Sequence, residues 1–244
     1  VLYMLNNIFI WGSKSYALLI DEILKNRTKS FNLKFLKSNS KNLKVKIVFD
    51  PYAKKQIYKL QGVFFNKISD FKKNVKKCKS FIVCIGDNFG KARYSTSKFL
   101  ENYGLKPLTL ISKYSLIDSK ADIGKGVVAM PNSYVNAFTK IGEYSIINSN
   151  ANIEHECKIG KGNHIMSGAC VGGRCIIGDY VSIGTNATIL PDIKIGEGSY
   201  IGAGSVVTKN VEKNSVIVGI PGKYVRVNQN KVDQEILKKI KNLK

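Results

Sequence analysis

Residues 151–186 read ANIEHE CKIGKG NHIMSG ACVGGR CIIGDY VSIGTN, and the chain can be cut there every six residues without a slip. Extended both ways, the frame holds for fifteen hexads from Ala121 to Asn210. Ile or Val is third in fourteen of them, Ala129 being the exception, Gly is fourth in eight, and Ala, Ser, Thr or Cys is first in eleven. A six-residue period of this kind marks a parallel β-helix. One branched aliphatic per short strand points inward, a small residue fills the crowded inner corner, and the fourth-position Gly is expected to ease the turn. Three hexads close one triangular coil, so residues eighteen apart stack. The fifteen hexads therefore predict five coils, about 24 Å tall at ~4.8 Å per step.

The frame gives three sides of different chemistry. One carries Lys125, Glu143, Lys161, Asp179 and Glu197 at the fifth position with Asp122, Lys140, Lys158, Ile176 and Lys194 outward at the second, and is expected to face water. The next carries Pro131, Ser149, Ser167, Thr185 and Ala203, with Val128, Ile146, His164, Ser182 and Tyr200 outward. The third carries Ala137, His155, Gly173, Pro191 and Lys209, with Tyr134, Asn152, Cys170, Thr188 and Val206 outward. Two faces with almost no charge are expected to leave water by packing against other copies. One face of each kind per chain makes a heterologous contact closing as a homotrimer the natural assembly.

His155 and His164 are the only histidines, and both lie on these uncharged faces. His155 stands between Glu154 and Glu156, which suits either a catalytic base with a carboxylate partner or a surface histidine with acidic neighbours. Gly173 stacks over it one coil on. Lacking a side chain there, Gly173 leaves space for a ligand and a backbone N–H for a developing oxyanion. The frame brings His155 of one chain toward His164 of the next. With two histidines a His-only zinc site within one chain is excluded. The five cysteines, Cys78, Cys84, Cys157, Cys170 and Cys175, form no CxxC pair. They read as reduced thiols, with Cys157 and Cys175 stacked as core fillers.

Of the 244 residues, 44% are hydrophobic and 23% charged, the balance of a soluble globular protein. No apolar run approaches the ~20 residues of a membrane span. The opening NIFIW is too short for a signal-peptide core, so a cytoplasmic protein without membrane insertion is expected. The net charge of +22 is scattered lysine without interleaved aromatics, which argues against nucleic acid as the main partner. Before the repeat, apolar runs alternate with amphipathic stretches. Strands are predicted at NIFIW, VKIVFD, FIVCIG and PLTLI, helices from Ser15 to about Asn26, near 67–76 and near 91–102, and a solvated loop over 28–44. This βαβ rhythm predicts a small Rossmann-like parallel sheet over 1–115, the β-helix over 116–226, and a basic C-terminal helix or tail over 227–244. Ligands of such sheets sit beyond the strand ends, here Gly12-Ser13-Lys14, Asp50-Pro51 and Gly86-Asp87-Asn88. The sequence GSKS lacks the later glycines of a redox dinucleotide loop.

Taken together, IFIWGSKSYALLIDEI, FIVCIGDN, LISKYSLI, NIEHECKIG to VGG, and VIVGIPGK resemble the bacterial nucleotide-sugar N-acetyltransferases, relatives of the sialic acid O-acetyltransferases, over nearly the whole chain. The resemblance implies a left-handed β-helix and direct transfer from acetyl-CoA, without a metal, to the amino group of a nucleotide-linked amino sugar. It implies His155 as general base oriented by Glu156. Asn148, His164 and Gly173 match positions around acetyl-CoA, and Thr185, Ala203, Pro221 and Lys223 match its pantetheine and adenine path. The nucleotide sugar would meet Gly12, Ser13, Lys14, Asp50, Gly86 and Asn88. Where the family carries a Gly-His/Gln-Gly run in the first loop, this chain has Ser15-Tyr16-Ala17, and its usual PAK is PGK. An O-acetyltransferase of a sialic-type sugar and a non-catalytic repeat scaffold are the alternative readings.

Overall fold

The computed structural model describes residues 7–25, 31–34, 43–229, 235–236 and 238. Strand β1 (Asn7–Trp11) is followed by α1 (Ser15–Lys25), β2 (Phe31–Lys34), β3 (Lys44–Phe49), β4 (Val63–Phe65), α2 (Ile68–Asn74), β5 (Ser80–Val83), α3 (Gly90–Asn102) and β6 (Lys106–Pro107). An all-parallel sheet of order β4-β3-β1-β5-β6 results. Central β1 is apolar throughout because it is covered on both sides. Phe9 and Trp11 pack with Phe71 and Phe99 of α2 and α3, and Ile8 and Ile10 pack with Ala17 and Ile20 of α1. Since β3 and β5 flank β1 on opposite sides, the strand order reverses at β1, and the crevice for a ligand opens beyond its end.

Beyond β6 the chain winds into a left-handed β-helix of two-residue strands on three faces. The first face stacks Val128–Ala129, Ile146–Ile147, His164–Ile165, Ser182–Ile183 and Tyr200–Ile201; the second stacks Tyr134–Val135 to Val206–Val207; the third stacks Asp122–Ile123 to Lys194–Ile195. Every partner is eighteen residues away, as the hexad frame requires. Third-position Ile147, Ile153, Ile165, Val171 and Ile183 are wholly buried, each contributing about 1.5–3 kcal/mol. Cys157 and Cys175 lie in the same core.

Several expectations are corrected. The apolar run PLTLI splits: Lys106–Pro107 ends the first sheet, whereas β7 (Thr109–Ser112) pairs with Val128–Ala129 and opens the prism, so the winding begins inside the stretch assigned to the first domain. The stretch 28–44 is not simply a loop, because β2 lies antiparallel along β7. The fourth-position glycines do not carry the turn. It is the sixth position that takes the left-handed conformation, at Phe138, Glu156, Arg174 and Asp192 among others. The fourth position is Gly for lack of space: a Cβ on Gly142 would come within 2.4 Å of the Gly160 backbone one coil on. The strand Lys223–Val227, antiparallel to Ser215–Val218, carries the end of the stretch assigned to the β-helix into the first residue of the expected tail, and Ile236 of that tail is buried in the core of the first domain. The rest of 230–244 lies outside the described residues, save Glu235 and Lys238 in helical conformation.

The largest correction concerns the first face. Its outward residues Val128, Ile146, His164 and Ser182 are buried, but by the first domain of the same chain, not by another copy. Arg93 of α3 is the clamp: its guanidinium donates to the carbonyls of Tyr144, Ile85, Gly162 and Asn163 at 2.7–3.0 Å. The second face remains half open, with Tyr134, Asn152, Cys170, Thr188 and Val206 all partly exposed.

Candidate active site

The chain runs from the first face to the second to the third, so the edge between second and third lies opposite the first face and the domain that covers it. His155 stands on that edge. Its side chain is 43% exposed, and Nδ1 lies 2.9 Å from Glu156 Oε2. A carboxylate only accepts, so Nδ1 carries the proton and Nε2 keeps its lone pair. The turn is held from below by Thr139, whose Oγ1 donates to the Glu154 carbonyl (2.7 Å) and accepts from Cys157 N–H (3.0 Å). Thr139 thus brackets the His155-Glu156 peptide on both sides.

Gly173 sits where the stacking placed it. A Cβ there would lie 2.7 Å from His155 Nε2, so the glycine preserves the free side of the ring. Cys157 Sγ donates to the Gly172 carbonyl at 3.1 Å from inside the prism. In a trans peptide C=O and N–H point oppositely, so the Gly173 N–H projects outward, toward the edge that His155 occupies. The ring of His155 and the N–H of Gly173 therefore share one notch. Among the described residues no three His, Cys, Asp or Glu side chains converge as a metal centre would require. Nor is any described helix long and apolar enough to cross a membrane.

His164 is in a different environment. It is 8% exposed. Its Nδ1 lies 3.2 Å from the Asp87 carbonyl and its Nε2 3.5 Å from Asn148 Nδ2. Burial, and then the nearby Arg93 guanidinium, push its pKa down to about 4. The ring is neutral near pH 7, with its proton on Nδ1 because the Asp87 carbonyl accepts. The sequence expectation set His164 toward His155 of a neighbouring copy; within the single chain the Gly86-Asp87-Asn88 turn meets its outward side. That turn, Asn148 and His164 form one group instead.

The remaining residues fall into two sets. Ser13 donates through N–H (3.0 Å) and Oγ (2.8 Å) to Asp50 Oδ2, while Tyr52 N–H donates to Oδ1 at 3.0 Å. Asp50 is 4% exposed, so it shapes the Gly12-Ser13 loop from beneath. Gly12, at φ +108°, approaches the Cys84 carbonyl too closely for any side chain. Lys14 is exposed, and Asn88 Nδ2 donates to Asn228 Oδ1 at 3.1 Å. Thr185 and Ala203 lie exposed along the edge between first and second faces, and Pro221 and Lys223 are exposed at the end of the prism. A small cavity between the domains, walled by Tyr16, Arg93, Ser97 and Tyr144 among others, includes neither histidine. Among the described residues, His155 is the histidine whose ring is both held by a carboxylate and partly exposed beside a glycine backbone.

Sequence reading missed Thr139, Arg93 and Arg174. A usable signal existed for two of them: Arg stands at only four positions, 27, 93, 174 and 226, among 39 Lys and Arg. A chain so rich in Lys uses Arg where a planar, multiply donating group is needed.

The bacterial transferase hexapeptide (six repeats) family matches residues 120–155, 156–190 and 174–209. All three matches lie within the prism. No curated protein sequence matches the chain. Among solved structures, the prism and the N-terminal domain together resemble three proteins. A point mutant of the GDP-perosamine N-acetyl transferase from Caulobacter crescentus, in complex with CoA and GDP-perosamine, is 21% identical, over 90% of this chain and 97% of that one, with TM-score 0.73. The acetyltransferase domain of PglB from Neisseria gonorrhoeae FA1090, in complex with acetyl coenzyme A, is 19% identical over 91% and 100%, with TM-score 0.74. WeeI from Acinetobacter baumannii AYE is 23% identical over 89% and 99%, with TM-score 0.72. The resemblance read from the sequence is thus met in fold across both domains.

Proposed function

We propose that the chain is an acetyl-CoA-dependent N-acetyltransferase acting on the amino group of a nucleotide-linked amino sugar. The observation that carries this reading is the notch at His155, where a ring held by Glu156 at 2.9 Å turns its free Nε2 toward side-chain-less Gly173. In the proposed reaction the amine nitrogen attacks the thioester carbonyl, His155 Nε2 takes the nitrogen's proton, and Gly173 N–H donates to the oxyanion. Collapse forms the amide and breaks the C–S bond, and the leaving sulfur takes the proton back from His155 Nε2 to depart as the thiol of CoA. The neighbours' bound molecules, CoA with GDP-perosamine in one and acetyl coenzyme A in another, support this assignment of substrates.

The same geometry supports a homotrimer. Gly12, Ser13, Lys14, Asp50, Gly86 and Asn88, which would hold the nucleotide sugar, lie on the domain over the first face, opposite the edge that bears His155. One chain therefore does not bring its own acceptor loops to its own base. A homotrimer in which the open second face meets a neighbour supplies both; Thr185, Ala203, Pro221 and Lys223 would then line the path of CoA beside Asn148 and His164. The site would face the cytoplasm, where acetyl-CoA is available.

Transfer assays with acetyl-CoA and a panel of UDP-, GDP- and dTDP-linked amino sugars test the reading. His155→Ala or His155→Asn is expected to lower kcat by ~10²-fold or more with the fold intact. Near-wild-type turnover in either variant overturns the base assignment, consumption of no acceptor favours a non-catalytic scaffold, and a stable monomer in sedimentation at micromolar concentration overturns the trimer.

A further inference from the structure

Above Glu156 on the same edge stand Arg174 and then Asp192, the sixth-position residues of the next two coils, all with φ near +60°. Equal backbone conformation and stacking give their Cα–Cβ bonds a common direction along the edge. Arg174 Nε donates to Asp192 Oδ1 and Nη2 to Oδ2, both at 2.7 Å, a two-point pairing that fixes the guanidinium plane. The backbone ties the column to the site: Arg174 N–H donates to the His155 carbonyl and Asp192 N–H to the Gly173 carbonyl.

We propose that Arg174 and Asp192 are positioning residues for the His155–Glu156 pair, the ion pair holding one cation above the Glu156 carboxylate and one anion above the ring. This rests on the reading of His155 as the base. Arg174 competes with the ring for the charge of Glu156, and Asp192, paired with Arg174, offsets part of that competition. Asp192 is held below the usual carboxylate range by its hydrogen bonds from Arg174, with His155 adding to the effect, and Arg174 is raised by Asp192 and then by Glu156. The other charged or titratable groups near the ring are adjacent Glu154, turned to the Asn136 and Asn152 amides, the Cys157 thiol beneath it, Lys209 higher on the edge, and Lys120, stacked on Phe138 below Glu156. None of these pairs with the ring.

With two histidines in the chain, proton NMR of the imidazole signals reads this directly, and His155→Asn assigns them. Arg174→Gln removes the cation, so the midpoint of the His155 titration moves up; Asp192→Asn removes the anion, so it moves down, each by roughly 0.2–0.5 pH unit at low salt. Arg174 and Asp192 are 50% and 61% exposed, so both variants keep the fold. In acetyl transfer, Arg174→Gln is expected to change kcat by about 3–10-fold with KM unaltered and a displaced acidic limb, and Arg174→Lys to restore part of it. Midpoints that stay put, or that move together, overturn the proposal even where His155→Asn abolishes transfer. Opposite shifts without transfer in the wild type would instead retain the pair and remove the function.

Discussion

The two histidines of this chain belong to the same repeat and are both at uncharged positions, yet one is open and the other sealed. His155 stands on a bare edge with its free nitrogen exposed; His164 is covered by a carbonyl of its own first domain. The hexad frame treats the two alike, because it records which residues point out of the prism and nothing about what meets them there. What differs is the second body: α3 and the 86–88 turn dock on one face and leave the opposite edge alone.

Breaking the clamp tests that difference most strongly. Arg93→Ala strips hydrogen bonds from four carbonyls at a buried junction and is expected to cost roughly 3–5 kcal/mol in urea unfolding, or to separate the transitions of the two domains. An effect below about 1 kcal/mol would show that the domains hold together without it. His164 gives the next largest effect. Its folded-state pKa of about 4 lies below the ordinary ~6.5, so the unfolded chain binds the extra proton first. Stability is then full above about pH 6.5 and declines as pH falls toward 4, by about 2–3 kcal/mol. His164→Gln is expected to flatten that window in thermal unfolding, whereas His155→Asn is not. The smallest effect belongs to the open edge. Gly173→Ala puts a methyl against His155 Nε2 and is expected to reduce acetyl transfer by roughly 10–30-fold, with the melting temperature nearly unchanged because the ring can swing into solvent. Full activity in Gly173→Ala would remove the notch from the mechanism.

The prism was legible because its signal is local and repeated: one inward Ile or Val per hexad, with no insertion to blur the frame. The sheet of the first domain was legible for a similar reason, its buried strands being continuous apolar runs. The site was legible on the edge, where Gly173 over His155 follows from arithmetic alone. It was not legible on the first face. The group that meets His164 from the first domain is the carbonyl of Asp87, and a main-chain acceptor leaves no mark on residue type. Likewise the fourth-position glycines looked like turn residues until the neighbouring coil showed a shortage of room. Thr139 was hidden by its own plausibility, since a small residue at a first position needs no second explanation.

The stacked edge also acts as a ruler. Groups placed on it are separated by whole coils of about 4.8 Å, so the spacing between a base and anything mounted above it comes in fixed increments. Changing the residue at a graduation leaves the interior untouched, because on this edge positions five and six contribute nothing to the core of the prism. Such an edge can exchange one chemistry for another without remaking the protein that carries it.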